Sequence, residues 1–193
     1  MNYNKEPYPK DIAALFNKAK VIADEIIVLL NKANCKTLNE LYKEDDNGSV
    51  KRQFNIFNEL GFKANVYNGK SYSPKGFNEF KGIYVFGEKI NGRINPVYVG
   101  ISRTVYRRLR QHGFGKRHNE CSLAYLITKE QRNAENKVTA RATITNTQLN
   151  QAKERIRNMQ VVLYPMSLDF DLYFLEVAIA GILKTKWNSF RTH

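Results

Sequence analysis

Asn91-Gly92 lies between two short apolar runs, Gly82 to Phe86 and Pro96 to Val99. The pair Asn-Gly suits both central positions of a tight hairpin turn, and runs of this length on either side read as its strands. An antiparallel hairpin therefore anchors the fold. A basic stretch follows at once, and a helix starting at Ser102 or Thr104 is expected to reach His112. Further on, Val161 to Tyr164 is β-branched and apolar, a third strand. Elsewhere the period is helical. Ile12, Leu15, Phe16, Ala19, Ile22, Ile26 and Leu30 recur at three- and four-residue spacing, which predicts an amphipathic helix over 11–33. Thr37-x-x-Glu40 predicts a capping box. Asp45 to Gly48 reads as a polar turn, and Ser49 as the cap of a helix from Val50 to Leu60 stopped by Gly61. Residues 62–80 read as a loop-rich connection, and Gly113 to Lys116 as a mobile basic loop. Helices are expected over Cys121–Gln131, Thr147–Met159 and Leu172–Lys186, while Asn133 to Asn146 is ambiguous. The sum is an α+β fold: a small three-stranded antiparallel sheet flanked by helices. Residues 1–75 read as an N-terminal helical extension and 76–193 as the sheet-bearing domain.

The chemistry sits on the same hairpin. Each apolar run carries a tyrosine, Tyr84 and Tyr98, and the basic helix places Arg108 and His112 four residues apart, on one face. Two phenols, a guanidinium and an imidazole then converge, a set no routine core requires. A planar guanidinium suits a phosphate whose non-bridging oxygens gain charge in a transition state. An imidazole can shuttle a proton near neutral pH. A phenol titrates near pH ~10, so Tyr84 would need nearby cations to lower that value. Glu176 is the one charged residue between Leu172 and Leu183. Burying it unpaired would cost several kcal/mol by order of magnitude. A bound cation, an arginine partner or a place at the solvent edge would each resolve that.

These residues resemble the GIY-YIG nuclease family. Gly82-Ile83-Tyr84 stands as the first signature and Tyr98-Val99-Gly100 as the second, followed by Arg108, His112, Glu176 and Asn188 in order. The pattern Arg-x-x-x-His-Gly and the run to Trp187-Asn188-Ser189 are most similar to the restriction-endonuclease branch. The resemblance implies a metal-dependent DNA endonuclease of restriction-like, site-specific kind, with Tyr84 activating water and Tyr98 positioning phosphate or water. It implies Glu176 as ligand of one Mg²⁺ or Mn²⁺ per site. Asn188 is expected either to hydrogen-bond a phosphate or catalytic side chain, or to end the last helix in a left-handed conformation. The sequence departs from the family at Ile101, where many members have lysine. Another cation, or His112, must then supply the field or accept the proton, with a rate rising through the imidazole range.

Charge agrees. The chain of 193 residues carries a formal +13, split as 12 basic against 9 acidic residues in 1–75 and 19 against 9 in 76–193. Six Lys or Arg and no acid fall between Arg103 and Arg117. Such a field attracts a polyanion, DNA first, and makes Arg103, Arg107, Arg110, Lys116 and Arg117 the expected DNA contacts. A catalytically inactive nucleic-acid-binding module of the same fold is the alternative. An interaction protein with the 11–33 helix as its assembly surface is a third. One active site per chain favours a homodimer for cutting both strands. Cys35 and Cys121 lack metal-ligand spacing and read as reduced thiols of a cytoplasmic protein. No apolar stretch is long enough to span a bilayer, so no membrane is expected.

Overall fold

The computed structural model describes residues 8–63, 79–116, 120–134 and 143–190. Its sheet is built on β3 (Gly82–Ile90), which pairs antiparallel with β4 (Arg93–Ser102) on one side and β5 (Gln160–Pro165) on the other. Asn91 and Gly92 both take positive φ, 51° and 82°, as the two-residue turn requires. Because β3 is central, both its faces are buried. Ile83 and Val85 face one layer, Tyr84 and Phe86 the other. The fold is thus α+β, a three-stranded antiparallel sheet between helices, as the sequence predicts.

On the first face lie α1 (Ile12–Leu30) and α7 (Asp169–Leu183). Ile22, Ile26 and Leu30 of α1 and Leu172, Leu175 and Ile179 of α7 share one cluster with Ile83, Val85, Val99 and Val162. Lys18 pairs with Asp171 at 2.9 Å and ties the two helices together. On the second face lie α2 (Leu38–Leu41), α4 (Val105–Phe114), α5 (Ser122–Ala134) and α6 (Asn146–Arg157), contributing Leu38, Leu109, Ile127 and Ile156 to the core around Tyr84 and Phe86. A small hairpin of β1 (Tyr42–Glu44) and β2 (Val50–Arg52), followed by α3 (Phe54–Glu59), packs at the edge of that layer.

Five expectations are corrected. Val50 to Leu60 is not one helix: Val50, Lys51 and Arg52 pair with Glu44, Lys43 and Tyr42 as a strand. Ser49 caps no helix, because it leads into this strand and the helix that follows starts only at Phe54, with Gln53 at its N-cap; the Ser49 N–H closes the Asp45–Gly48 turn on Asp45 Oδ1 at 2.9 Å. Gly113 and Phe114 are not loop but the last turn of α4. Lys153 donates to the Gly115 carbonyl at 2.6 Å and Arg157 to that of Gly113 at 3.1 Å, so two cations of α6 hold the carbonyl end of the helix. The last helix begins at Asp169, with Asp169 and Asp171 in its first turn where the helix dipole favours acids, and ends at Leu183. The left-handed terminator is Lys184, φ 51°, not Asn188. The capping box at Thr37 and Glu40 forms as read. The loop-rich 62–80 segment and the ambiguous 133–146 segment fall largely outside the described residues.

Candidate active site

The two signature glycines are close approaches of chain to chain. A Cβ on Gly82 would stand 2.1 Å from the Tyr164 carbonyl oxygen of β5. A Cβ on Gly100 would stand 2.3 Å from Tyr84 Cζ and 2.4 Å from its hydroxyl. Gly82↔Pro165 and Tyr84↔Gly100 are register pairs, so a bare Cα at position 100 lets the Tyr84 ring lie flat across the neighbouring strand. Between Phe86↔Tyr98 and Gly87↔Pro96 the register slips and leaves Val97 as an extra residue in β4. This bulge bends the edge strand and leaves Tyr98 and Val97 both packed against the Tyr84 layer.

Tyr84 Oη stands 2.8 Å from His112 Nε2, both side chains fully enclosed. The Arg108 guanidinium lies against the same hydroxyl. Arginine only donates, so the phenol oxygen accepts from Arg108, and its hydrogen can go to Nε2 or to the Tyr98 hydroxyl. With Tyr84 donating to Nε2, the imidazole proton sits on Nδ1, which faces Cys121 Sγ at 3.8 Å. The thiol donates in turn to the His112 carbonyl at 3.0 Å. Arg108 is aimed from behind by the Glu120 carbonyl at 2.7 Å and Ser122 Oγ at 3.3 Å. Tyr98 completes the group, its ring centroid 6.3 Å from that of Tyr84 and 5.7 Å from that of His112. Its hydroxyl is within reach of Ser122 and Tyr84.

Burial outweighs the cations here. It drives the Tyr84 phenol well above its ordinary value, with the Tyr98 phenol adding to the rise and Arg108 only partly opposing it. The expectation that cations would lower it is therefore corrected. His112 is pushed well below the ordinary imidazole value by burial, then by the Arg108 charge. Both causes disfavour the protonated ring, so the site favours a neutral His112 near neutral pH.

Glu176 faces the site from α7, across the end of β4. It lines an open cavity of about 350 Å³ with Ile101, Ser102, Arg103, Thr104, Asp169, Leu172 and Tyr173. Its carboxyl is close enough to both phenols to raise their values. Among the described residues it has no hydrogen-bond or ion-pair partner, and burial alone pushes it up to about 7. No group of three or more His, Cys, Asp or Glu stands together among the described residues. The donor set is the Glu176 carboxylate with the hydroxyls of Ser102 and Thr104 in the same cavity, the Asp169 carboxylate there being held by Lys81 and Arg103. That fits a hard cation that keeps most of its waters and shares substrate phosphate, as Mg²⁺ does.

Asn188 is turned inward. Its Oδ1 accepts from Val99 N–H and its Nδ2 donates to Val99 C=O, both at 2.8 Å, while Trp187 N–H bonds to the Val97 carbonyl at 3.1 Å. The segment after α7 thus closes the open edge of β4 between Tyr98 and Gly100. Asn188→Ala is expected to leave both Val99 groups without these partners and to cost about 1–3 kcal/mol, read as a lowered denaturant midpoint. An unchanged midpoint would show that water replaces both bonds.

Of the expected DNA contacts, Arg107, Arg110 and Lys116 are exposed on and beyond the outer face of α4. Arg103 is instead held by Asp169, which also pairs with buried Lys81 at 2.9 Å. Arg117 lies outside the described residues. Ile101 packs against the α1–α7 layer and supplies no charge. Sequence reading missed Glu120, Cys121, Ser122 and Asp169, since they reach the site only through the path of the chain after α4 and at the start of α7. Among the described residues no helix is long and apolar enough to cross a membrane.

A phenol bonded to an imidazole, a guanidinium on the same hydroxyl and a carboxylate across the strand end stand together on a small α+β fold. Residues 80–155 match the family model of the GIY-YIG catalytic domain. Glu176 and Asn188 lie beyond the matched stretch. Neither the curated proteins nor the solved structures compared with the chain gave a match.

Proposed function

We propose that the protein is a metal-dependent DNA endonuclease that hydrolyses phosphodiester bonds. The observation that carries this reading is the 2.8 Å contact of Tyr84 with a neutral, buried His112, made beside Arg108 and across from the orphaned Glu176. Water attacking phosphorus gives its proton to Tyr84 Oη as Tyr84 passes its own proton to His112 Nε2, while the bond from phosphorus to the leaving oxygen breaks and the proton returns along the same path to that oxygen. No free phenolate is then required; the imidazolium formed in its place, which burial and Arg108 disfavour, is transient and faces the negative charge of the attacked phosphate. Arg108, already fixed by Glu120 and Ser122, meets the charge growing on the phosphate oxygens without reorganising. Tyr98 holds the phosphate or the water in line. Mg²⁺ or Mn²⁺ on Glu176 would supply Lewis-acid stabilisation of the phosphate and the leaving oxygen.

The restriction-like, site-specific form of this activity is supported by the Arg-x-x-x-His-Gly pattern and by the order Glu176 to Asn188. Plasmid of known sequence, incubated with the full chain and Mg²⁺, is expected to give discrete fragments, and EDTA is expected to abolish cleavage. Cleavage that persists in EDTA removes the metal. A smear in place of bands removes site specificity. Intact plasmid under every condition leaves the inactive binding module.

A further inference from the structure

The outer side of α4 forms one wall of an open cleft of about 470 Å³, and the β1–β2 hairpin forms the other. Arg107, Arg110, Gln111, Phe114 and Lys116 face Gly48, Ser49 and Val50 across it, with Glu120 as its one acid. Other basic side chains near the core are tied down. Arg103 and Lys81 are held by Asp169, Lys153 and Arg157 by the carbonyls that end α4, and Arg155 by Glu88. Arg107, Arg110 and Lys116 have no ion pair or side-chain hydrogen bond to any described residue. Three unspent cations face the small residues Gly48 and Ser49 of a hairpin that also carries Glu44, Asp45 and Asp46, with Asp45 paired to Lys51 at 2.9 Å; the open space between takes an anion of extended shape on the helix side. Small residues at the hairpin wall, Gly48 and Ser49, admit a chain backbone and offer a hydroxyl.

The geometry points to a second nucleic-acid site: this cleft holds the sugar–phosphate backbone of the substrate away from the bond that is cut. The inference rests on the nuclease reading above and adds to it a role for the hairpin of the N-terminal part of the chain. Helix α4 is the spacer. Its inner face carries Arg108 and His112 to Tyr84, and its outer face carries Arg107 and Arg110 to the cleft. A helix with its side chains is about 10 Å across, and one strand of duplex advances 3.4 Å per phosphate. An acidic protein segment would satisfy the same cations. DNA is favoured because the helix that bears them also aims an arginine at the reacting phosphate.

The test is equilibrium binding of a fluorescein-labelled DNA duplex to the full chain over a range of salt, in EDTA. Arg107→Glu/Arg110→Glu is expected to weaken binding by roughly tenfold to a hundredfold. It should also flatten the slope of log affinity against log salt by about two, close to one for each phosphate no longer neutralised. Ser49→Glu, on the opposite wall, is expected to weaken binding several-fold. Lys20→Glu/Lys32→Glu makes the same change in net charge at exposed positions at and beyond α1, on the other side of the sheet, and is expected to leave the slope unaltered. If the α4 pair keeps wild-type affinity and slope, or if only the α1 pair alters them, the inference is overturned. If Ser49→Glu alone is silent, the hairpin is not a wall of the site and the inference falls in that part. A protein that binds DNA through this cleft yet never cuts plasmid would overturn the nuclease reading and leave this one standing.

Discussion

Tyr84→Phe is expected to lower turnover on DNA by about 10²- to 10⁴-fold while DNA affinity stays within roughly twofold of wild type. Only the hydroxyl is lost. The ring keeps its place over Gly100, and its edge contact with Phe86, centroids 5.9 Å apart, is untouched. The variant loses the proton path from water to His112 Nε2 and leaves a buried imidazole nitrogen without its partner. That costs about 1–3 kcal/mol of stability, not the fold. Single-turnover cleavage and gel shifts separate the two effects. Cleavage at the wild-type rate would remove Tyr84 from the reaction, and parallel loss of binding would make its role one of ground-state contact. Because burial and Arg108 hold His112 well below the ordinary imidazole value, the wild-type rate is expected to show no imidazole inflection between about pH 6 and pH 8. An inflection in that range that vanishes in His112→Gln would contradict the neutral-acceptor role.

Glu176→Gln is expected to abolish metal-dependent cleavage and to stabilise the metal-free protein at high pH. The folded carboxyl titrates at about 7, above its ordinary 4.5, so the fold favours the protonated form. Its stabilising effect is complete below the ordinary value and is lost as pH rises through about 7. The carboxyl is only partly buried, so solvent screening reduces the effect to about 1–2 kcal/mol. Below about pH 4.5 wild type and Gln variant should melt together, and above about pH 8 the variant should melt higher. Adding Mg²⁺ at high pH should raise the melting temperature of wild type and leave the variant unmoved. A Gln variant that is less stable than wild type at high pH would show that the carboxylate has a partner, and the metal assignment would go with it.

The sequence by itself determined the hairpin and the pairing of chemical groups within it. Asn91-Gly92 admits little but a tight turn, and two-residue periodicity then puts Tyr84 and Phe86 on one face and Ile83 and Val85 on the other. Arg108 and His112 share a helix face by spacing alone. These relations are local, and local rules of period and turn chemistry decide them. The error at 50–60 was local too: a three-residue strand is too short for periodicity to reveal, and Ser49 served the turn before it. Everything that sets the protonation of the site was decided by tertiary structure. The same Arg108 that would lower a solvated phenol is outweighed once Tyr84 is sealed between strands and helices, because the cost of a buried charge exceeds the gain from one neighbouring cation. Asn188 read as a helix terminator or a phosphate ligand until the edge of β4 was in place to take both ends of its amide. The cleft that sets Ser49 opposite Arg107 joins residues far apart in the chain, and no pattern in either segment announces the other.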